Sequence, residues 1–129
     1  MDRLILFRHG KAEAESLSGE DFDRRLAPRG VAESAETAPR LAETGLIPDV
    51  VLVSPAARTR ETWRAAAASF PDARPDFDTD LYNADSSGIR REAERAGRTA
   101  ASVMVVGHNP GIHELTVRLR EDDGRLVSP

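Results

Sequence analysis

Leu4-Ile5-Leu6-Phe7-Arg8-His9-Gly10 is the stretch on which the fold turns. Its four consecutive apolar residues are too few for a helix and are closed by a glycine, the pattern of a short buried strand. An arginine and a histidine stand where that strand ends. A guanidinium presents a planar fork to phosphate oxygens, and a neutral imidazole can attack phosphorus. Alone, the pair fits equally well a solvated arginine beside a hydrogen-bonded loop histidine, so the rest of the chain decides.

The same design recurs downstream. Val103-Met104-Val105-Val106 reads as the clearest strand and runs into Gly107-His108-Asn109-Pro110-Gly111. Residues 49–53 read as another strand, followed by Ser54-Pro55, a serine N-cap with proline at the first helical position. A weaker strand is expected at 76–81, where Phe77, Thr79 and Leu81 alternate with aspartates, which are poor strand formers. Between these runs lie helical patterns. One starts at Pro28, with Val31, Ala35, Ala38 and Ala42 on its apolar face, Pro39 expected to kink or shorten it, and Gly45 as its C-cap. Others run from Ser54 through Arg58, Thr62 and Trp63 to about Ser69, from Ser87 to Gly97, and from Ile112 to Arg120 with Leu115 and Leu119 on one face. Residues 11–25 form a long polar loop, and Asp122-Asp123-Gly124 reads as a turn. Strands alternating with helices over 129 residues specify one α/β domain on a mostly parallel sheet.

In such a sheet, ligands bind outside the carboxyl ends of the strands, near the point where strand order reverses. The exits therefore bring Arg8, His9, Ser54, Arg58, His108 and Asn109 toward one pocket. Arg58 falls in the first turn of its helix, where free N–H groups and the helix dipole favour an anion. Taken singly, Arg58 could belong to a solvated face with Arg60 and Arg64, and His108 could be a turn histidine. Their placement at equivalent strand ends favours a phosphate pocket.

Composition narrows the alternatives. Acidic residues outnumber basic ones by 22 to 18, for a formal charge of −4, which disfavours a general nucleic-acid binder. The chain has no cysteine, so disulfides and thiolate metal sites are excluded. His113 follows His108 by five residues, not the four of a two-histidine zinc face, so it reads as a surface or packing residue and no metal is expected. No Gly-rich lysine loop of the P-loop type occurs. The opening apolar run is far too short for a signal peptide or a membrane span, so a cytoplasmic location without membrane contact is expected.

Together these residues have a family look. Leu6-Phe7-Arg8-His9-Gly10-Lys11-Ala12, residues 21–30 (Asp-Phe-Asp-Arg-Arg-Leu-Ala-Pro-Arg-Gly), residues 53–62 (Val-Ser-Pro-Ala-Ala-Arg-Thr-Arg-Glu-Thr) and Val106-Gly107-His108-Asn109-Pro110-Gly111 carry it. In this order they resemble the histidine phosphatase superfamily, most of all its SixA-type phosphohistidine phosphatases. The resemblance implies a three-layer α/β/α, phosphoglycerate mutase-like fold. It makes His9 the nucleophile, with Arg8 and Arg58 clamping phosphate oxygens and His108 completing the pocket. Arg25 is placed at the pocket edge and Asn109 as a further phosphate contact. Asp80 is the best-aligned proton donor, with Asp78 and Asp85 as alternatives. Relatives continue past the final helix into another strand, whereas this sequence stops at Pro129, so either an edge strand is missing or the sequence is a shortened version.

The expected activity is removal of phosphate from a histidine on a protein partner, such as a phosphotransfer domain, by a cofactor-free monomer. A small-molecule phosphomonoesterase using the same site, or a phosphate-binding module without turnover, are the competing readings. A retained nucleophile speaks against the last.

Overall fold

Three apolar runs and one exposed polar stretch become the four described strands of a parallel sheet. The computed structural model describes residues 1–122 and gives β1 (Arg3–Arg8), α1 (Pro28–Glu43), β2 (Val50–Val53), α2 (Ala57–Ala66), β3 (Arg74–Phe77), α3 (Ser86–Ala96), β4 (Ser102–Gly107) and α4 (Gly111–Asp122). The strand order is β1-β4-β2-β3, every neighbour is parallel, and Val105 faces both Leu6 and Leu52 in register.

Strand alternation sends successive side chains to opposite faces. On one face Ile5, Phe7, Val51, Val53, Met104 and Val106 pack against Ala38 and Leu41 of α1 and Trp63 and Ala66 of α2. On the other, Leu6, Leu52, Val103 and Val105 pack against Ile89 and Ala93 of α3 and Ile112 and Leu115 of α4. This is the expected three-layer α/β/α arrangement, with β4 buried along its whole length. The chain leaves β1 toward the α1 face and its neighbour β4 toward the α4 face. The crevice between those two exits is the switch point where parallel sheets bind ligands.

Several local expectations are corrected. α2 begins at Ala57 with Ala56 as N-cap, not at Ser54-Pro55, because the Ser54 hydroxyl is bonded to His108. The buried face of α1 is Gly30, Ser34, Ala38 and Leu41, one residue out of phase with the expected one, and Val31 is 43% exposed. The cause is a close backbone approach. A Cβ on Gly10 would lie 2.5 Å from the Gly30 carbonyl oxygen, and one on Gly30 would collide with the Lys11 carbonyl. The helix thus docks through its glycine, which a reading based on apolar bulk overlooks. α1 also passes through Pro39 to Glu43, and Gly45 follows with φ +80°. Its left-handed backbone is one that glycine adopts without steric cost.

The third strand lies at Arg74–Phe77, earlier than expected, and Thr79–Leu81 forms a 3₁₀ turn capped by the Asp78 side chain. The polar segment after β1 contains a bridge between Ala12 and Leu26 and a 3₁₀ turn at Asp21–Asp23. Asp122, expected to open a turn, ends α4, while the rest of that expected turn, Asp123-Gly124, and the expected missing edge strand lie outside the described residues. Among the described residues, no helix is long and apolar enough to cross a membrane.

Candidate active site

His9 is fixed through its backbone first. Its N–H donates to the Gly107 carbonyl at 3.1 Å, tying the exit of β1 to that of β4. The next N–H, of Gly10, donates to Thr62 Oγ1 on α2 at 3.2 Å, and Gly10 backs onto Gly30 of α1. Two helices and a strand therefore hold one loop. The ring Nδ1 then bonds the Gly10 carbonyl at 2.6 Å. A carbonyl only accepts, so Nδ1 carries the proton and Nε2 keeps a free lone pair. That is the tautomer a nitrogen nucleophile needs.

His108, at the exit of β4, lies edge-on to His9 with ring centroids 5.3 Å apart. Its Nε2 is 2.7 Å from Ser54 Oγ, at the exit of β2. With the Ser54 hydroxyl donating to Nε2, Nδ1 of His108 becomes a proton donor, and it is buried without a hydrogen-bond partner. Arg58 Nε shares that condition. Buried donors without acceptors are rare, and an oxyanion would supply the acceptor for both.

Arg58 is the second residue of α2 and only 5% exposed. Its NH1 donates to the Asp21 carbonyl at 2.9 Å and its NH2 to Asp21 Oδ2 at 3.1 Å. Arg24 Nε and the Tyr82 hydroxyl bond the same carboxylate at 3.0 and 2.6 Å. The Tyr82 hydrogen bond, with those from Arg24 and Arg58, holds the Asp21 carboxyl down at about 2. Asp21 thus stays ionised and orients Arg58 from below.

A cavity of about 500 Å³ opens at His9 and Arg24, lined also by Arg8, Lys11, Arg29 and Asn109. Arg8 is exposed there. Glu33 is also on the lining, in an ion pair with Arg29 at 2.6 Å. Asn109 borders the cavity while its Oδ1 accepts the His113 N–H in the first turn of α4. His113 itself is exposed, as expected.

The structure therefore brings together Arg8, His9, Arg58, His108 and Asn109. It does not bring Arg25 or Asp80 to them. Arg25 is turned outward onto Glu61, with Nε and NH2 at 2.9 and 2.8 Å from Oε2, while the other oxygen of Glu61 accepts the Leu26 N–H. The cavity side is taken by Arg24, because extended backbone sends neighbouring side chains to opposite sides. Asp80 is exposed and its carboxylate lies with those of Asp78 and Glu92 within 4.8 Å of one another. Arg95 answers that negative charge, at 3.5 Å from Asp78 and 3.1 Å from Glu92. Asp85 caps α3 through Gly88. Sequence reasoning missed Asp21, Arg24 and Tyr82 as site residues, and it placed Ser54 at the pocket as a helix cap, not as the partner of His108. Only Asp21 and Arg24 left a signal, a charged pair at either end of a short turn.

The electrostatics suit nucleophilic attack. Burial of the ring lowers the pKa of His9 below 6.5, opposed by the Gly10 bond and reinforced by the charges of Arg58, Arg8 and Arg24. Burial and the Arg58 charge press His108 down to about 4. Turnover should therefore fall on the acid side with a midpoint below 6.5, as His9 takes up the proton that blocks its lone pair. A pH–rate profile checks this, and a midpoint above 6.5 would contradict it. His108 adds a linked effect on stability. The unfolded chain binds the proton more readily, so this stabilisation is complete above 6.5 and is lost as pH falls toward about 4.

Comparison with known proteins agrees with this geometry. The family model for the histidine phosphatase superfamily (branch 1) matches residues 4–87. An uncharacterised chloroplastic protein of Arabidopsis thaliana is 34% identical over 122 residues, covering 87% of this chain and 56% of its own length. An uncharacterised protein of Mycobacterium tuberculosis is 34% identical over 81% of the chain and 64% of its own length. The chain thus spans little more than half to just under two thirds of these relatives. Among solved structures, a candidate phosphohistidine phosphatase SixA from Agrobacterium tumefaciens superposes with a TM-score of 0.79 at 34% identity, covering 93% of this chain and 76% of that one. The protein histidine phosphatase SixA complexed with tungstate does so with a TM-score of 0.74 at 25% identity, covering 89% and 75%. With His9 and His108 edge-on to each other beside Arg8 and Arg58, and with the family pattern running through three of its four described strand exits, this chain belongs to branch 1 of the histidine phosphatase superfamily.

Proposed function

We propose that the chain is a phosphohistidine phosphatase acting on a histidine displayed by another protein. The observation that carries this reading is that the acids about the site are already committed, Glu33 on the cavity wall to Arg29. Asp21 is in contact with the site's cations and is held ionised at about 2. The aspartates expected to donate a proton are engaged elsewhere, in the Asp78, Asp80 and Glu92 group and at the cap of α3. An alkoxide leaving group needs a proton from the enzyme, whereas an imidazole can be protonated before it departs. Such a site fits a phosphoramidate better than a sugar phosphate.

The chemistry is two displacements at phosphorus. His9 Nε2 forms a bond to phosphorus as the P–N bond to the substrate imidazole breaks, and that imidazole leaves with its proton. Water then attacks the His9 phosphoryl group, releasing inorganic phosphate and restoring the free ring. Arg8, Arg24 and Arg58 hold charge that stays on the phosphoryl oxygens, the main task of a protein in such transfers. The cavity is open to the surface, which suits a side chain presented on a partner. The SixA neighbour holding tungstate, a tetrahedral oxyanion, supports the same reading.

The test is phosphate release from a histidine-phosphorylated phosphotransfer domain and from p-nitrophenyl phosphate, each with and without EDTA. Faster release from the phosphoprotein, unchanged by EDTA, is expected. Preference for the ester would make the chain a general phosphomonoesterase. Binding without release from either would make it a phosphate-binding module.

A further inference from the structure

A second depression, with none of its lining in common with the cavity at His9, begins at the neighbour of Asp21, Phe22. It is a groove of about 670 Å³ lined by the apolar surfaces of Phe22, Pro55, Trp63 and Phe77, together with Arg60 and Arg64. Phe77 ends the edge strand β3 and is 49% exposed. Pro55 follows the exit of β2, so the groove lies at the same end of the sheet as His9. At its near side Phe22 belongs to the turn whose Asp21 orients Arg58. From Phe22 a chain of edge-on ring contacts leads inward, to Tyr82 at 5.0 Å, then His108 at 5.8 Å, then His9 at 5.3 Å.

The charges of the groove are uncommitted. Arg24, Arg25, Arg29, Arg58 and Arg95 each pair with a carboxylate. Among the described residues, Arg60 and Arg64 have no such partner and both are exposed on α2. In a chain of net charge −4, two unpaired guanidinium groups beside an aromatic groove are a local complement to an acidic surface. Aromatic and arginine side chains are also those that most often anchor protein interfaces.

We propose that this groove docks an acidic, apolar segment of the phosphohistidine-bearing protein and so selects the partner. The proposal rests on the phosphohistidine reading above and adds the partner's chemistry to it. The open cavity recognises the phosphoryl group alone, and the groove supplies the contacts that tell one phosphoprotein from another. The ring contacts between Phe22 and His9 are short enough for about five residues of extended chain, at 3.3–3.6 Å each, to link the two sites.

The experiment uses two synthetic phosphohistidine peptides and free phosphohistidine. One peptide carries glutamates and leucines five to eight residues from the phosphohistidine, and the other replaces the glutamates with lysines. The wild type should show a KM about tenfold lower for the acidic peptide, the scale of a few surface charge pairs turned from attraction to repulsion. The double variant Arg60→Glu, Arg64→Glu should reverse that preference and leave turnover of p-nitrophenyl phosphate and free phosphohistidine unchanged. Equal KM values in the wild type, or a preference that survives in the variant, would overturn the proposal while leaving the phosphohistidine reading intact. A wild-type dimer lost in the variant would assign the groove to a second copy of the chain and also overturn it. If p-nitrophenyl phosphate is hydrolysed and no phosphohistidine compound is, the reading of function fails, and the docking proposal with it.

Discussion

His9→Ala is expected to lower turnover by up to about 10⁶-fold on every substrate, the scale seen when a covalent nucleophile is removed. The expectation comes from how narrowly His9 is prepared. Its backbone is tied to Gly107, its neighbour Gly10 to Thr62, and its Nδ1 to the Gly10 carbonyl, which leaves Nε2 as the reacting atom. His108 stands 5.3 Å away, but its Nε2 is occupied by Ser54, so it is not an equivalent replacement. Brief exposure of the wild type to labelled phosphoprotein and an alkaline quench should trap acid-labile phosphate on His9. His9→Ala should carry none. Turnover within tenfold of the wild type in the variant would remove histidine from the role of nucleophile.

Arg58→Ala is the second large effect, a loss on the order of 10²–10³ in kcat, the usual result of deleting one group that stabilises transition-state charge. Arg58 is buried, its NH1 and NH2 are set by Asp21, and its Nε has no partner. Lysine should not rescue it, because a point charge cannot reproduce the fork that holds Asp21 and still offer a donor to phosphate. A further signature separates this from damage to the fold. The Arg58 charge is among the causes that lower both histidines, so the acid limb of the pH–rate profile should move to higher pH in Arg58→Ala. A slower enzyme with an unmoved limb would mean that Arg58 acts on structure alone.

Much of this was legible before any coordinates. Three of the four described strands announced themselves because parallel strands buried on both faces must be nearly continuous apolar runs, whereas β3, exposed along its length, carries no such run and was expected too late in the chain. The pairing of Arg8-His9 with His108 followed from the rule that strand exits share one edge. What escaped the sequence shares a physical cause, which is contact between segments distant in the chain. The rotation of α1 depends on Gly10 meeting Gly30, and a glycine carries no apolar signal. Ser54 fits an N-cap pattern equally well whether its hydroxyl faces the helix or, as here, a histidine 54 residues away. Arg24 and Arg25 are chemically alike, and only the direction of the backbone decides which one turns to the cavity and which to Glu61. Asp80 aligned by position, but its turn carries it to the α3 side beside Glu92.

The position of β4 bears on how the molecule is made. The last of the four described strands lies between the first and the second, so β1 has no strand neighbour until β4 arrives. During synthesis from the amino end, β2 and β3 can pair early while β1 must wait, its apolar residues uncovered on that side. Such long-range closure is slow and leaves the nascent chain open to aggregation or chaperone capture. The same event delivers His108. Insertion of one strand therefore joins up the described sheet and brings His108 to His9 in the same event, and a chain released before Ser102 has neither.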